Sequence, residues 1–157
     1  MDSYTDYKLM ESNGITAIII KGRKVLIFKR IWFPFMVHPG IWTFVAGKKE
    51  RSETYEETAY REVREETGMD KTVLKQIATY DRVAKINPAK KRKHHDALYV
   101  FSSKTDKVRL NFENTSYRWA SLSDIEDQRE YTNIFADKGF IERVIRSAIN
   151  GKKLASK

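Results

Sequence analysis

Residues 47–69 read GKKERSETYEETAYREVREETGM, and this stretch decides the fold. Thr54 with Glu57 three residues on is a capping box, so the spacing predicts a helix that starts at Tyr55 and runs to Thr67. Gly68 is its natural stop. Ala59 and Val63, four apart, mark the face turned to the core. Glu62, Glu65 and Glu66 stand at i, i+3 and i+4 and so share one patch. That patch lies at the C-terminal end of the helix, where the macrodipole already disfavours anions. Two readings are open for it. One is a solvated acidic face laced to nearby lysines. The other is a seat for a divalent cation, for which all-oxygen ligands suit Mg²⁺ or Mn²⁺.

The rest of the chain narrows the class. It has 157 residues, 30 Lys+Arg against 21 Asp+Glu, a net charge of +9, and 41% hydrophobic residues. One domain over residues 1–157 is expected, with residues 151–157 as a frayed tail. A disordered chain, a collagen-like chain and a disulfide scaffold are excluded. Cysteine is absent, which excludes a thiol nucleophile and a cysteine zinc site and fits a cytoplasmic setting. The apolar-rich run Ile15–Ile20 is far too short to cross a bilayer. Asp2 and Asp6 at the N-terminus give no signal-peptide pattern. The positive balance suits anionic partners, with plain solubility as the alternative.

Outward from residues 47–69, Ile15–Ile20 and Lys24–Phe28 flank Gly22 and predict a hairpin. Trp32 to Pro39 predicts a structured loop, and Ile41–Val45 a short strand. Strands are expected over Val73–Ala84 and Ala97–Ser102, with a basic loop from Lys85 to Asp96 between them. Tyr117–Ser121 predicts another strand. Ser123 predicts a cap for a short helix, and Ile134–Asn150 a last helix closed by Gly151. This order predicts an α/β or α+β sandwich.

Residues 47–69 match G-x5-E-x7-R-E-U-x-E-E-x-G-U (U a large aliphatic or similar residue) at every fixed position: Gly47, Glu53, Arg61, Glu62, Val63, Glu65, Glu66, Gly68 and Met69. This is the Nudix box, and the chain resembles a Nudix hydrolase. The stretches 41–47 and 117–122 resemble the family's entry strand and late strand. The resemblance implies an α/β fold, the Nudix-type α/β/α sandwich with a mixed β-sheet. It also implies an Mg²⁺- or Mn²⁺-dependent pyrophosphohydrolase. Water would attack a phosphorus in a nucleoside diphosphate linked to a further group, of nucleoside triphosphate or nucleotide-sugar type. One departure stands out: Val45-Ala46-Gly47 replaces the family's frequent Pro-Gly-Gly.

Residue by residue, the resemblance gives Glu62, Glu65 and Glu66 to metal, together with the carbonyl of Ala46. Glu62 or Glu65 would be the base for water. Arg61 would orient the carboxylates, and Glu53 would support them from outside the metal shell. Gly47 and Gly68 would be structural, as a loop turn and a helix stop. Glu113, six residues before Trp119, falls where some members carry an extra glutamate, with an exposed loop residue as the alternative. Arg30 falls where members often meet substrate phosphates. Asp137 falls, on a loose alignment, where some read a base.

The run Lys90-Lys91-Arg92-Lys93-His94-His95 suits a clamp on an anionic substrate, with Lys91 and Arg92 at its centre, or a solvated loop. Trp32, Phe33, Phe35 and Trp42 suit base stacking or core packing. A Nudix-fold binding or regulatory module acting on nucleic acid, or an RNA-end pyrophosphohydrolase, is the competing function. A second copy of the chain is open as a partner; a membrane is not expected. An isopentenyl diphosphate isomerase needs a cysteine and is set aside.

Overall fold

The computed structural model describes residues 5–30, 42–87, 90–127 and 135–152, the side chains of Arg30 and Asp127 excepted. A two-residue strand β1 (Lys8–Leu9) precedes β2 (Gly14–Lys21) and β3 (Lys24–Arg30). Gly22, at φ 60°, makes the turn between β2 and β3. Ile20 then pairs with Val25, and Lys21 with Lys24, as the hairpin reading expects. The strand expected over 41–45 is two strands, β4 (Trp42–Thr43) and β5 (Val45–Lys48). The chain breaks at the buried Phe44 because β4 pairs with β3 while β5 crosses to β2.

Helix α1 (Tyr55–Thr67) is capped as the sequence predicts. Thr54 Oγ1 accepts from the Glu57 N–H, and Glu57 Oε1 accepts from the Thr54 N–H. Gly68 closes the helix at φ 79°, a backbone state that is easy only for glycine. After it come β6 (Leu74–Asn87), β7 (Arg92–Ser103), β8 (Asn114–Ser121), α2 (Leu122–Asp127) and α3 (Lys138–Ile149).

β2 lies between β7, to which it is parallel, and β3 and β5, to which it is antiparallel, so the sheet is mixed. Its run of buried residues from Gly14 to Ile20, apolar but for Thr16, reflects burial on both faces. Ile15, Ala17 and Ile19 pack with Ala59 and Val63 of α1. Ile18 and Ile20 pack with Ile141, Val144 and Ile145 of α3. Each such fully buried aliphatic side chain contributes about 1.5–3 kcal/mol. The result is an α/β fold, with helices on both sides of one sheet. Among the described residues no helix is long and apolar enough to cross a membrane.

Three expectations need correction. The basic loop over Lys85–Asp96 is mostly paired strand: Lys85 faces His94, Ile86 faces Lys93, and Asn87 faces Arg92. Charge hides this pairing because Lys85 and Asp96 are buried against each other, Nζ to Oδ2 at 3.2 Å. Helix α2 starts at Leu122 and takes its cap from Ser121, not Ser123. Ser121 Oγ accepts from the Asp124 N–H, and Asp124 Oδ2 accepts from the Ser121 N–H. Helix α3 starts at Lys138 rather than near Ile134, because Phe135 is taken up in a bridge to Lys85. Residues 31–41, with Trp32, Phe33 and Phe35, lie outside the described residues, as does the tail after Lys152.

Candidate functional site

Arg61 is the hub of the glutamate patch. Its Nε donates to Glu53 Oε2 at 2.6 Å, Nη2 to Glu53 Oε1 at 2.9 Å, and Nη1 to Glu62 Oε1 at 2.8 Å. Nη1 also reaches Glu65 Oε2 at 3.3 Å, and Nη2 donates to the Lys48 carbonyl at 3.0 Å. One guanidinium thus ties the helix to β5 and to Glu53 ahead of the helix. Its bonds to Glu53, with help from the Glu50 N–H, hold the Glu53 carboxyl down to about 2. The same pairing raises the pKa of Arg61. Both groups therefore stay charged through the physiological range.

The remaining acids are pushed the other way. Burial raises the pKa of Glu62 against the pull of Arg61. Glu66 is 3% exposed. Its Oε2 accepts from the Ala46 N–H at 3.3 Å and its Oε1 from Asn114 Nδ2 at 3.2 Å. Burial first, and the charge of Glu113 second, push its carboxyl up to about 8. Glu65 is half exposed at the rim. Glu113, half-buried, bears electrostatically on both Glu66 and Glu62.

Gly47 lies in β5, not in a loop turn as expected, and its φ is not positive. Its role is room: a Cβ there would stand 2.1 Å from Glu62 Cδ. On the other side of that backbone layer, a Cβ on Gly14 would stand 2.6 Å from Asp96 Oδ1 and 3.3 Å from the Gly47 carbonyl. Asp96 is held there by Thr16 Oγ1 at 3.1 Å, Ser12 Oγ at 3.2 Å and Lys85 Nζ. Sequence reasoning missed this buried network and missed Asn114. The one available signal for Asn114 was its place beside Glu113.

Other candidates stand apart from this patch. Lys91 and Arg92 sit at the turn of the β6–β7 hairpin, roughly 13 Å of strand beyond Asp96. Asp137 caps α3, accepting the Phe140 N–H at 2.9 Å. Arg30 ends β3, its side chain outside the described residues. Trp42 packs against the core. A cavity of about 1330 Å³ lies between β6 and α3, lined by Tyr80, Val83, Phe140 and Val144 among others. It is on the sheet face opposite α1 and holds none of the glutamates.

Among the described residues no three acidic or imidazole groups meet as a ready-made metal cage. Glu62 and Glu65 turn to Arg61, and Glu66 turns to Ala46 and Asn114. The donor set nonetheless fits a hard divalent cation. Glu53, Glu62 and Glu65 share a single guanidinium, Glu66 and Glu113 bear electrostatically on Glu62, and Glu62 and Glu66 have raised pKa values. A divalent cation is the charge that relieves both conditions.

The chain matches the NUDIX domain family over residues 10–144. It therefore belongs to the Nudix hydrolase family. It is similar to the asymmetrical bis(5'-nucleosyl)-tetraphosphatase of Mus musculus, 33% identical over 86 residues, covering 53% of this chain and 57% of that protein. The match spans little more than half the length of that relative. In fold it is similar to an Ap4A hydrolase of C. elegans, with TM-score 0.71 and 17% identity over 90% of this chain and 99% of the other. It is also similar to a MutT protein of Methanosarcina mazei Go1, with TM-score 0.67 and 23% identity over 88% and 98% of the two chains.

Proposed function

We propose that this chain is a divalent-metal-dependent pyrophosphohydrolase that cuts a diphosphate linkage in a nucleotide-type substrate. The observation that carries the reading is the glutamate array: three carboxylates on one guanidinium, a fourth buried and raised to about 8, and a glycine cleared for Glu62. In this reading Glu62, Glu65 and Glu66 hold Mg²⁺ or Mn²⁺, with the Ala46 carbonyl beside them. Bound metal supplies positive charge to the phosphate oxygens as negative charge develops on them. Arg61 fixes Glu62 and Glu65 against rotation. Asn114 and the Ala46 N–H fix Glu66. Glu62 or Glu65 takes the proton of the attacking water, and Glu113 adds negative charge that favours cation binding.

The likeness to a bis(5'-nucleosyl)-tetraphosphatase supports trying a dinucleoside polyphosphate among the substrates. A second reading, cleavage at an RNA 5' end, is favoured by the cationic hairpin at Lys90–Lys93. The test is a substrate panel with Mg²⁺ and with Mn²⁺: nucleoside triphosphates, nucleotide sugars, a dinucleoside tetraphosphate and a triphosphorylated RNA, products separated chromatographically. A nucleoside monophosphate from one or more nucleotides supports the reading. Turnover confined to RNA supports the second, and no cleavage of any diphosphate linkage rejects both.

A further inference from the structure

Two glycines let carboxylates press on one pair of strands from opposite faces. Gly14 of β2 pairs with Lys48 of β5, and Ile15 pairs with Gly47, so the two glycines are one register step apart. Glu62 of α1 fills the space at Gly47, where a Cβ would stand 2.1 Å from its Cδ. Asp96 of β7 fills the space at Gly14, where a Cβ would stand 2.6 Å from its Oδ1 and 3.3 Å from the Gly47 carbonyl oxygen. Any side chain at either position would push a carboxylate off this backbone layer.

Asp96 holds both ends of the stretch on which β5 is built. Its Oδ2 accepts from Thr16 Oγ1 at 3.1 Å, and its Oδ1 accepts from Ser12 Oγ at 3.2 Å. The Ser12 hydroxyl in turn accepts from the Gly14 N–H at 3.4 Å. The backbone ladder between β2 and β7 starts at Ile15 and Ala97, so ahead of it the Asp96 side chain ties residues 12–14 to β7. Lys85 Nζ, 3.2 Å from Oδ2, matches the charge of Asp96. The held stretch then carries β5. Thr16 pairs with Ala46, whose N–H donates to Glu66 Oε2 at 3.3 Å. Past the end of β5, the Lys49 N–H donates to the Asn13 carbonyl at 2.8 Å.

We propose that Asp96 is a positioning residue for the divalent-cation site: through residues 12–16 it sets where the β5 backbone lies, and so where Glu62 and Glu66 come to rest. The proposal rests on the metal-dependent reading of the glutamate site and deepens it. Asp96 acts through the backbone, from the face of the sheet away from α1. Its hydrogen bonds to Ser12 and Thr16 are the working part. Lys85 lets the carboxylate be buried without an unpaired charge.

The test measures Mn²⁺ affinity by electron paramagnetic resonance of the free ion, well below the melting temperature of each variant. Lys85→Met/Asp96→Ala removes the tie and leaves no unpaired charge. It should weaken Mn²⁺ about tenfold, the low end for groups that orient metal ligands. Lys85→Met/Asp96→Asn keeps the shape and the bonds to Ser12 and Thr16, and should bind Mn²⁺ as the wild type does. Gly14→Ala, which displaces Asp96 and leaves both charges in place, should weaken Mn²⁺ as well. A lower urea midpoint with wild-type Mn²⁺ affinity, in the alanine double variant or in Gly14→Ala, overturns the proposal and leaves the metal reading intact. Equal weakening in the two double variants also overturns it. Failure of the wild type to bind Mn²⁺ overturns both. If Mn²⁺ affinity follows Asp96 as expected but no diphosphate linkage is cut in any substrate, the positioning role stands and the hydrolase reading fails.

Discussion

Gly47→Ala is a one-methyl perturbation aimed at the geometry of the site. The new Cβ would lie 2.1 Å from Glu62 Cδ, 2.3 Å from Oε1 and 2.5 Å from Cγ. To reach ordinary contact near 3.4 Å the carboxyl carbon must retreat by about 1.3 Å. That shift breaks the 2.8 Å bond from Arg61 Nη1 to Glu62. Misplacing a catalytic group by about 1 Å costs on the order of 10²-fold in rate, and overpacking a filled site costs about 1–3 kcal/mol in stability. Gly47→Ala should therefore lose roughly 10²-fold in kcat/KM on the best substrate and lower the urea midpoint. The double variant Gly47→Ala/Glu62→Ala separates the two effects. All three clashing atoms belong to the Glu62 side chain beyond Cβ, so adding Gly47→Ala to Glu62→Ala should cost well under 1 kcal/mol. An equal stability loss in both backgrounds, or near wild-type turnover by the single variant, would refute the reasoning.

Other outcomes follow from the same structure. The fold raises the Glu66 carboxyl from 4.5 to about 8, so the folded state binds the proton more tightly than the unfolded one. Glu66 therefore stabilises most below about pH 4.5, and that contribution is lost as pH rises to about 8, by at most about 5 kcal/mol. Urea unfolding without metal at pH 5 and pH 8 should show the fall, and Glu66→Gln should flatten it; a wild-type profile as flat as the variant's contradicts the assignment. Lys85→Met leaves Asp96 buried without its ion-pair partner and should cost about 3–5 kcal/mol, read by thermal and urea unfolding. Replacing Lys90, Lys91, Arg92 and Lys93 by Ser should raise KM more at low salt than at high salt, with kcat little changed. An unchanged KM across the salt series leaves the hairpin as solvated surface.

What the sequence made legible was local. Thr54, Glu57 and Gly68 set the ends of α1 because capping depends on residues three or four apart. The clustering of Glu62, Glu65 and Glu66 follows from the same helical spacing. The β2–β3 hairpin was readable from its apolar runs and Gly22. What escaped depends on partners distant in the chain. Lys85 and Asp96 look like loop charges until β6 and β7 pair and bury them against Thr16, which is 80 residues from Asp96. Gly47 looks like a turn residue until Glu62 folds over it. Asn114 gains its meaning from Glu66, 48 residues earlier. The start of α3 was misplaced because Ile134 and Phe135 continue an apolar pattern, while the cap is Asp137.

The central claim is that the glutamate site directs water to a phosphorus of a diphosphate linkage. Hydrolysis of the best nucleotide substrate in ¹⁸O-water with Mg²⁺, followed by mass spectrometry of the products, tests it directly. The account predicts one label on a phosphate of a product, none on sugar or base oxygens, and a nucleoside monophosphate among the products. Release of inorganic phosphate from simple monoesters alone, or label on carbon-bound oxygen, would contradict it.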